Sequence, residues 1–172
     1  MIRFAGALLV LFAGTMIGYL QAARFAARPR QIRHLMHALQ RLETEIQYGQ
    51  TPLPEALARL AGIVPQPVAG LFADIATSLS SHAGGTVRES WERALAAGWG
   101  RTAMQPPERD ALLRLGSTLG GSGREDQLKH VRLTMLQLQA EEASAREEQQ
   151  RYEKMSRSLG VLGAALIVIV LV

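Results

Sequence analysis

The chain has 172 residues, 48% of them apolar but only 5% aromatic, with a formal charge of +4 and no cysteine. One domain of ordinary size fits this length, whereas a multidomain enzyme, a disulfide scaffold and a cysteine-based zinc ribbon do not. The apolar residues gather at the two ends. An uncharged run of 20 residues spans Phe4 to Ala23 and another of 14 spans Leu159 to Val172, which leaves 18 of the 19 basic and all 15 acidic side chains between them.

The first run is long enough to cross a bilayer, since 20 residues at about 1.5 Å each reach about 30 Å. Residues 1–25 therefore read as a transmembrane helix. A cleavable signal peptide is the alternative, but the length of the run and the arginines that follow it favour an uncleaved anchor. Gly14 and Gly18 form a GxxxG that suits close helix contact in the membrane, although glycine is common in spanning helices anyway.

Residues 26–138 read as an all-α bundle of about six helices. After Pro29, the positions Ile32, Leu35, Leu39, Leu42 and Ile46 recur at three and four residues, which predicts a helix with one buried face ending at Gly49. Thr51, Pro52 and Pro54 open a short helix carrying Leu53, Leu57 and Leu60, which stops near Gly62. Leu71, Phe72, Ile75 and Leu79 define the next, over residues 68–79, and residues 80–85 read as a turn. Thr86 and Glu89 make a capping box before Val87, Trp91 and Leu95. Pro106 and Pro107 start a helix with Leu112, Leu113 and Leu115. Ser122 and Glu125 make a second capping box, which opens the longest helix through Leu128, Val131, Met135 and Leu138. No run alternates with period two, so no sheet is predicted.

Residues 139–158 are polar nearly all round and contain neither Gly nor Pro. They read as a helical stalk with exposed i,i+4 pairs such as Glu142–Arg146 and Glu147–Arg151. Residues 159–172 read as a short transmembrane tail anchor, with a buried core helix as the alternative.

Arg24, Arg28, Arg30 and Arg33 follow the first run, and Arg151, Lys154 and Arg157 precede the last, whereas only Arg3 lies on the far side. This asymmetry predicts a membrane hairpin with a cytoplasmic middle and both ends outside. Arg24, Arg28, Arg30 and Arg33 form a collar for anionic lipid, worth about 1 kcal/mol each. The basic excess is concentrated there, so nucleic acid is not an expected partner.

No catalytic, cofactor or metal site emerges. His34 and His37 have a spacing that a metal could use, but no carboxylate or cysteine joins them and arginines crowd them. Gly120, Gly121 and Gly123 follow no strand and lack the phosphate-loop pattern. Glu141, Glu142, Glu147 and Glu148 form an acidic patch that could meet a partner, although such patches are more often simply solvated.

The runs RPRQIRHLMHALQRLETEIQYGQTPLPEAL, GTVRESWERAL, LLRLGSTLGGSGREDQLKHVRL and RYEKMSRSLGVLGAAL resemble the stage III sporulation protein AB family of endospore-forming bacteria, in order and over the whole chain. At greater distance the middle resembles the cytoplasmic domain of the type II secretion F and type IV pilus platform protein. Gly49, Leu53, Gly116 and Gly120 match motif positions of that domain, while Ser117 stands where it usually has an acid. The resemblance implies a non-enzymatic platform component of the channel between mother cell and forespore. Such a component would work with a secretion-type ATPase and with ring-forming membrane proteins, and homo-oligomerisation is a candidate feature. It would sit in the mother-cell membrane facing the forespore. A membrane-anchored helical scaffold or signalling adaptor unrelated to secretion is the alternative.

Overall fold

The computed structural model describes the backbone of residues 2–49, 51–81, 86–119 and 121–171, and the side chains of those among residues 23 and 25–155. Among the described residues, six α-helices follow in order: α1 (Ile2–Tyr48), α2 (Leu53–Ala61), α3 (Val68–Ser80), α4 (Val87–Gly98), α5 (Pro106–Thr118) and α6 (Arg124–Leu171). A 3-10 turn, Trp99–Arg101, follows α4. Among the described residues there is no strand.

The helices end where the local chemistry requires. The Gly49 N–H donates to the Glu45 carbonyl at 2.8 Å and closes α1. Pro52 precedes α2, where a missing N–H costs nothing because the first-turn donors have no helical acceptor. At α4 the capping box forms in full: the Glu89 N–H donates to the Thr86 hydroxyl and the Thr86 N–H donates to the Glu89 carboxylate, both at 3.2 Å. The second expected capping box does not form. The Ser122 hydroxyl instead donates to the Thr118 carbonyl at 3.0 Å, and α6 starts at Arg124. The Thr118 carbonyl at the end of α5 thus accepts both the serine hydroxyl and, at 3.4 Å, the Gly121 N–H.

Two further expectations are revised. The first apolar run and the helix after Pro29 are one helix, because α1 continues through Pro29. The outer helices of the bundle and the helices of the apolar ends are therefore the same two elements. Nor is 139–158 a bare stalk. On α6, Val131, Thr134, Leu138, Glu142 and Ala145 are all buried, which extends the inward line past Leu138 with an alanine and a glutamate.

The core unites Ile32, Leu35, Leu39 and Leu42 of α1 with Leu57 and Leu60 of α2, Phe72 and Ile75 of α3, Trp91 and Leu95 of α4, and Leu112 and Leu115 of α5. Helices α1 and α6 are antiparallel: Glu43 pairs with Arg132, Arg33 with Glu142 and Arg28 with Glu148, so that a step along one is matched by a backward step along the other. Among the described residues, no helix is long and apolar enough to cross a membrane. The expected spans, with Gly14 and Gly18 and the side chain of Arg24, lie almost wholly outside the described side chains.

Candidate functional site

The densest polar arrangement sits where α1, α5 and the middle of α6 meet. Arg28 is 4% exposed and Glu108 is 0% exposed. The Arg28 Nη2 and Nε both donate to Glu108 Oε1, at 2.6 and 3.1 Å, and Nη1 donates to Glu148 Oε2 at 2.7 Å. Glu141 lies at 3.6 Å from the same guanidinium. The second oxygen of Glu108 accepts the Gln105 N–H at 2.5 Å, so one carboxylate caps α5 and holds α1. A guanidinium suits this position because its planar fork of donors serves several acceptors at once.

Two contacts flank the cluster. Glu142 is met by Arg33 at 3.4 Å and by Arg146 at 2.6 Å. The rings of Phe25 and Tyr152 stack at 3.9 Å between centroids with 21° between planes. The Gln31 side chain reaches outward from α1 to accept the Ala103 N–H at 2.7 Å, tying the loop before α5 to the same helix.

The structure redistributes the residues expected at the lipid collar. Arg28 points into the bundle, whereas Arg33 stays partly exposed and meets Glu142 of α6. Arg30 is exposed, with its Nε on the Ala26 carbonyl of its own helix. Burial of Arg28 follows from its being on the same face as Ile32, Leu35 and Leu39, four residues before the first of them. The acidic patch is divided too. Glu141, Glu142 and Glu148 face arginines of α1, whereas Glu147 is exposed and makes no ion pair among the described residues.

Of the motif positions, Gly116 has the sharpest requirement. A Cβ there would come within 2.3–2.6 Å of the Trp91 indole. That indole is fully buried and its Nε1–H donates to the Leu112 carbonyl at 2.9 Å. Leu53 begins α2 and packs on the core. Ser117 donates to the Arg114 carbonyl at 2.7 Å, and Gly120 lies outside the described residues.

His34 carries a buried Nδ1 without a hydrogen-bond partner among the described residues. Its pKa is lowered by burial first, then by the neighbouring charges of His37, Arg33 and Arg30. Among the described residues, no group of three potential metal ligands gathers. A cavity of about 220 Å³ between the end of α1 and the starts of α2 and α6 is lined by Leu42, Leu53 and Ala56 together with Glu45 and Arg124.

Sequence reasoning did not single out Glu108. Its place three residues after Gln105, behind two prolines, was a signal for a helix cap. Its pairing with a residue 80 positions away has no local trace.

The sequence profile of the family described as stage III sporulation protein AB matches residues 3–172. The curated stage III sporulation protein AB of Bacillus subtilis (strain 168) is 37% identical over 171 residues, 99% of each chain. A solved structure of a stage III sporulation protein AB superposes with a TM-score of 0.68 at 38% identity, covering 73% of this chain and 98% of that one.

Proposed function

This chain belongs to the stage III sporulation protein AB family, which places it in sporulation, and we propose that it serves there as a non-enzymatic membrane platform. In this reading the two apolar ends anchor it in the mother-cell membrane facing the forespore, with the bundle in the cytoplasm. It couples a secretion-type ATPase to ring-forming membrane proteins of the channel between the two cells. Anionic lipid meets the exposed remainder of the basic collar, with Arg30 and the partly exposed Arg33 as its described members.

The observation that carries this reading is the Arg28 cluster. A platform must pass force between a cytoplasmic motor and its membrane anchors without slippage. Here the two helices that continue into the apolar ends are joined to each other, and to α5, by one buried guanidinium and three carboxylates. Hydrogen-bonded charges are directional, so they fix register in a way that apolar contact alone does not.

The test uses the absence of native cysteine. A full-length chain carrying Ser81→Cys, an exposed position, is expressed in sporulating cells. The chain should fractionate with membranes, label only with a membrane-permeant thiol reagent, and bring the secretion-type ATPase with it on gentle solubilisation. Labelling by an impermeant reagent in intact cells overturns the topology. Normal sporulation by a variant that no longer retains the ATPase overturns the coupling.

A further inference from the structure

Helix α6 has a second apolar line, on the side away from the bundle. Val131, Leu138 and Ala145 are at most 1% exposed and mark the inward side. Opposite them Leu133 and Leu136 are 50% and 64% exposed, and Ala140 and Ala143 are exposed as well. These four residues follow 3-4-3 spacing, the a and d positions of a heptad in which Val131, Leu138 and Ala145 occupy f. Two leucines so exposed, in register with two alanines that permit close approach, are more than scattered surface apolar residues.

The charge pattern says what fits. Residues 133–140, LTMLQLQA, carry no charge, in a helix that is otherwise densely charged from Arg124 to Arg157. A partner selected by charge has nothing to read there. A second copy needs nothing to read: across a parallel pair the flanking positions would oppose Arg132 to Gln137 and Gln139 to Ser144, without repulsion. The next d and a positions outward are Lys129 and Glu147. Each would face its own counterpart and so limits the contact to Leu133–Ala143, about 15 Å of helix at about 1.5 Å per residue.

We propose that a second copy of this chain packs on this face, α6 against α6 in parallel. The inference rests on the membrane-platform reading. Two copies anchored in one membrane with the same orientation present the same residues at the same height, and their confinement raises the effective concentration. A contact this short is too small to hold free copies together, but it suffices between neighbours already aligned by their anchors.

The experiment is cysteine cross-linking of the full chain in membranes of a host that lacks the other sporulation proteins. Leu136→Cys and Ala140→Cys should give disulfide-linked dimers several-fold more efficiently than Gln139→Cys, which lies beside the stripe. Adding Leu133→Glu to Ala140→Cys should abolish the dimer without changing helical content, since Leu133 is half exposed. A membrane-resident chain that forms no dimer, or forms it equally at positions 136, 139 and 140, overturns the inference and leaves the platform reading standing. A cross-link to a different protein overturns it likewise. A chain absent from the membrane fraction overturns both.

Discussion

Toward the loops, α1 contributes Leu35, Leu39 and Leu42 to a core shared with Val131 and Leu138 of α6, and the charged link between the two helices there, among the described residues, is the pair Glu43–Arg132 at its edge. Toward the chain ends the same two helices are joined through Arg28, Glu108, Glu141 and Glu148, with Phe25 stacked on Tyr152 beyond. The first region is held by contacts with no preferred direction, which tolerate repacking if volume is kept. The second is anchored by Arg28 and Glu108, two charges that have left water and are tolerable only while each has its partner, with Glu141 and Glu148 nearer the surface. Burial of similar completeness therefore carries opposite rules for substitution, and the second region is the one nearer the apolar ends.

The strongest test of that contrast is Glu108→Ala, which leaves the Arg28 guanidinium buried with its principal acceptor gone. Loss of about 3–5 kcal/mol is expected, read as the urea midpoint of residues 24–155. The double variant Arg28→Met, Glu108→Leu should lose clearly less than Glu108→Ala alone, because a neutral pair requires no compensation. A double variant as unstable as the single one would mean that the cluster is held by shape and not by charge.

In the apolar region Leu39→Ala should cost about 2–5 kcal/mol through lost burial and a residual cavity, and no charge change on α6 should offset it. Gly116→Ala should cost about 1–3 kcal/mol by forcing the Trp91 ring from its seat. The added methyl would also disturb the indole bond to Leu112, so tryptophan fluorescence should shift along with the unfolding midpoint. Unchanged fluorescence and stability would show that the ring can withdraw freely.

His34 provides a smaller effect with a definite sign. Its folded pKa lies below the ordinary value of 6.5, so the folded state binds the proton less readily than the unfolded chain. Stability is full above about pH 6.5 and declines as pH falls from there through the folded pKa. A His34→Asn variant should flatten this part of the pH–stability curve, and a slope that survives the substitution would assign it to other groups. The smallest effect belongs to Glu147→Lys. Although it sits one residue from Glu148, it is exposed and unpaired among the described residues, and its reversal should change stability by under about 0.5 kcal/mol. A large loss would place Glu147 in the cluster after all.

Much of the helical plan was legible from local signals. Prolines and glycines mark the breaks at Gly49, Pro52, Gly62 and Pro106, and the Thr86–Glu89 box forms as read. The three- and four-residue spacing identified Ile32, Leu35, Leu39, Leu57, Leu71, Trp91 and Leu112 as core. Local signals failed at Ser122, where the hydroxyl had two bonding options within a turn and took the carbonyl four residues earlier. They failed as well beyond Leu138, because the eye reads Glu142 and Ala145 as surface when no leucine follows them.

The sequence by itself determined the elements: short-range propensity, capping and apolar period act within a turn or two and are written in consecutive residues. Only the tertiary structure decided which charges meet. Arg28 and Glu108 are 80 positions apart and Arg28 and Glu148 are 120 apart, so no window of neighbouring residues shows which acids Arg28 meets, although its spacing from Ile32 and Leu35 already sets it on the inward face and Arg30 off it. Their separation into a buried clamp and a surface charge follows from which side of α1 faces α5 and α6. The same holds for Gly116, whose missing side chain has a meaning only because Trp91 lies against it.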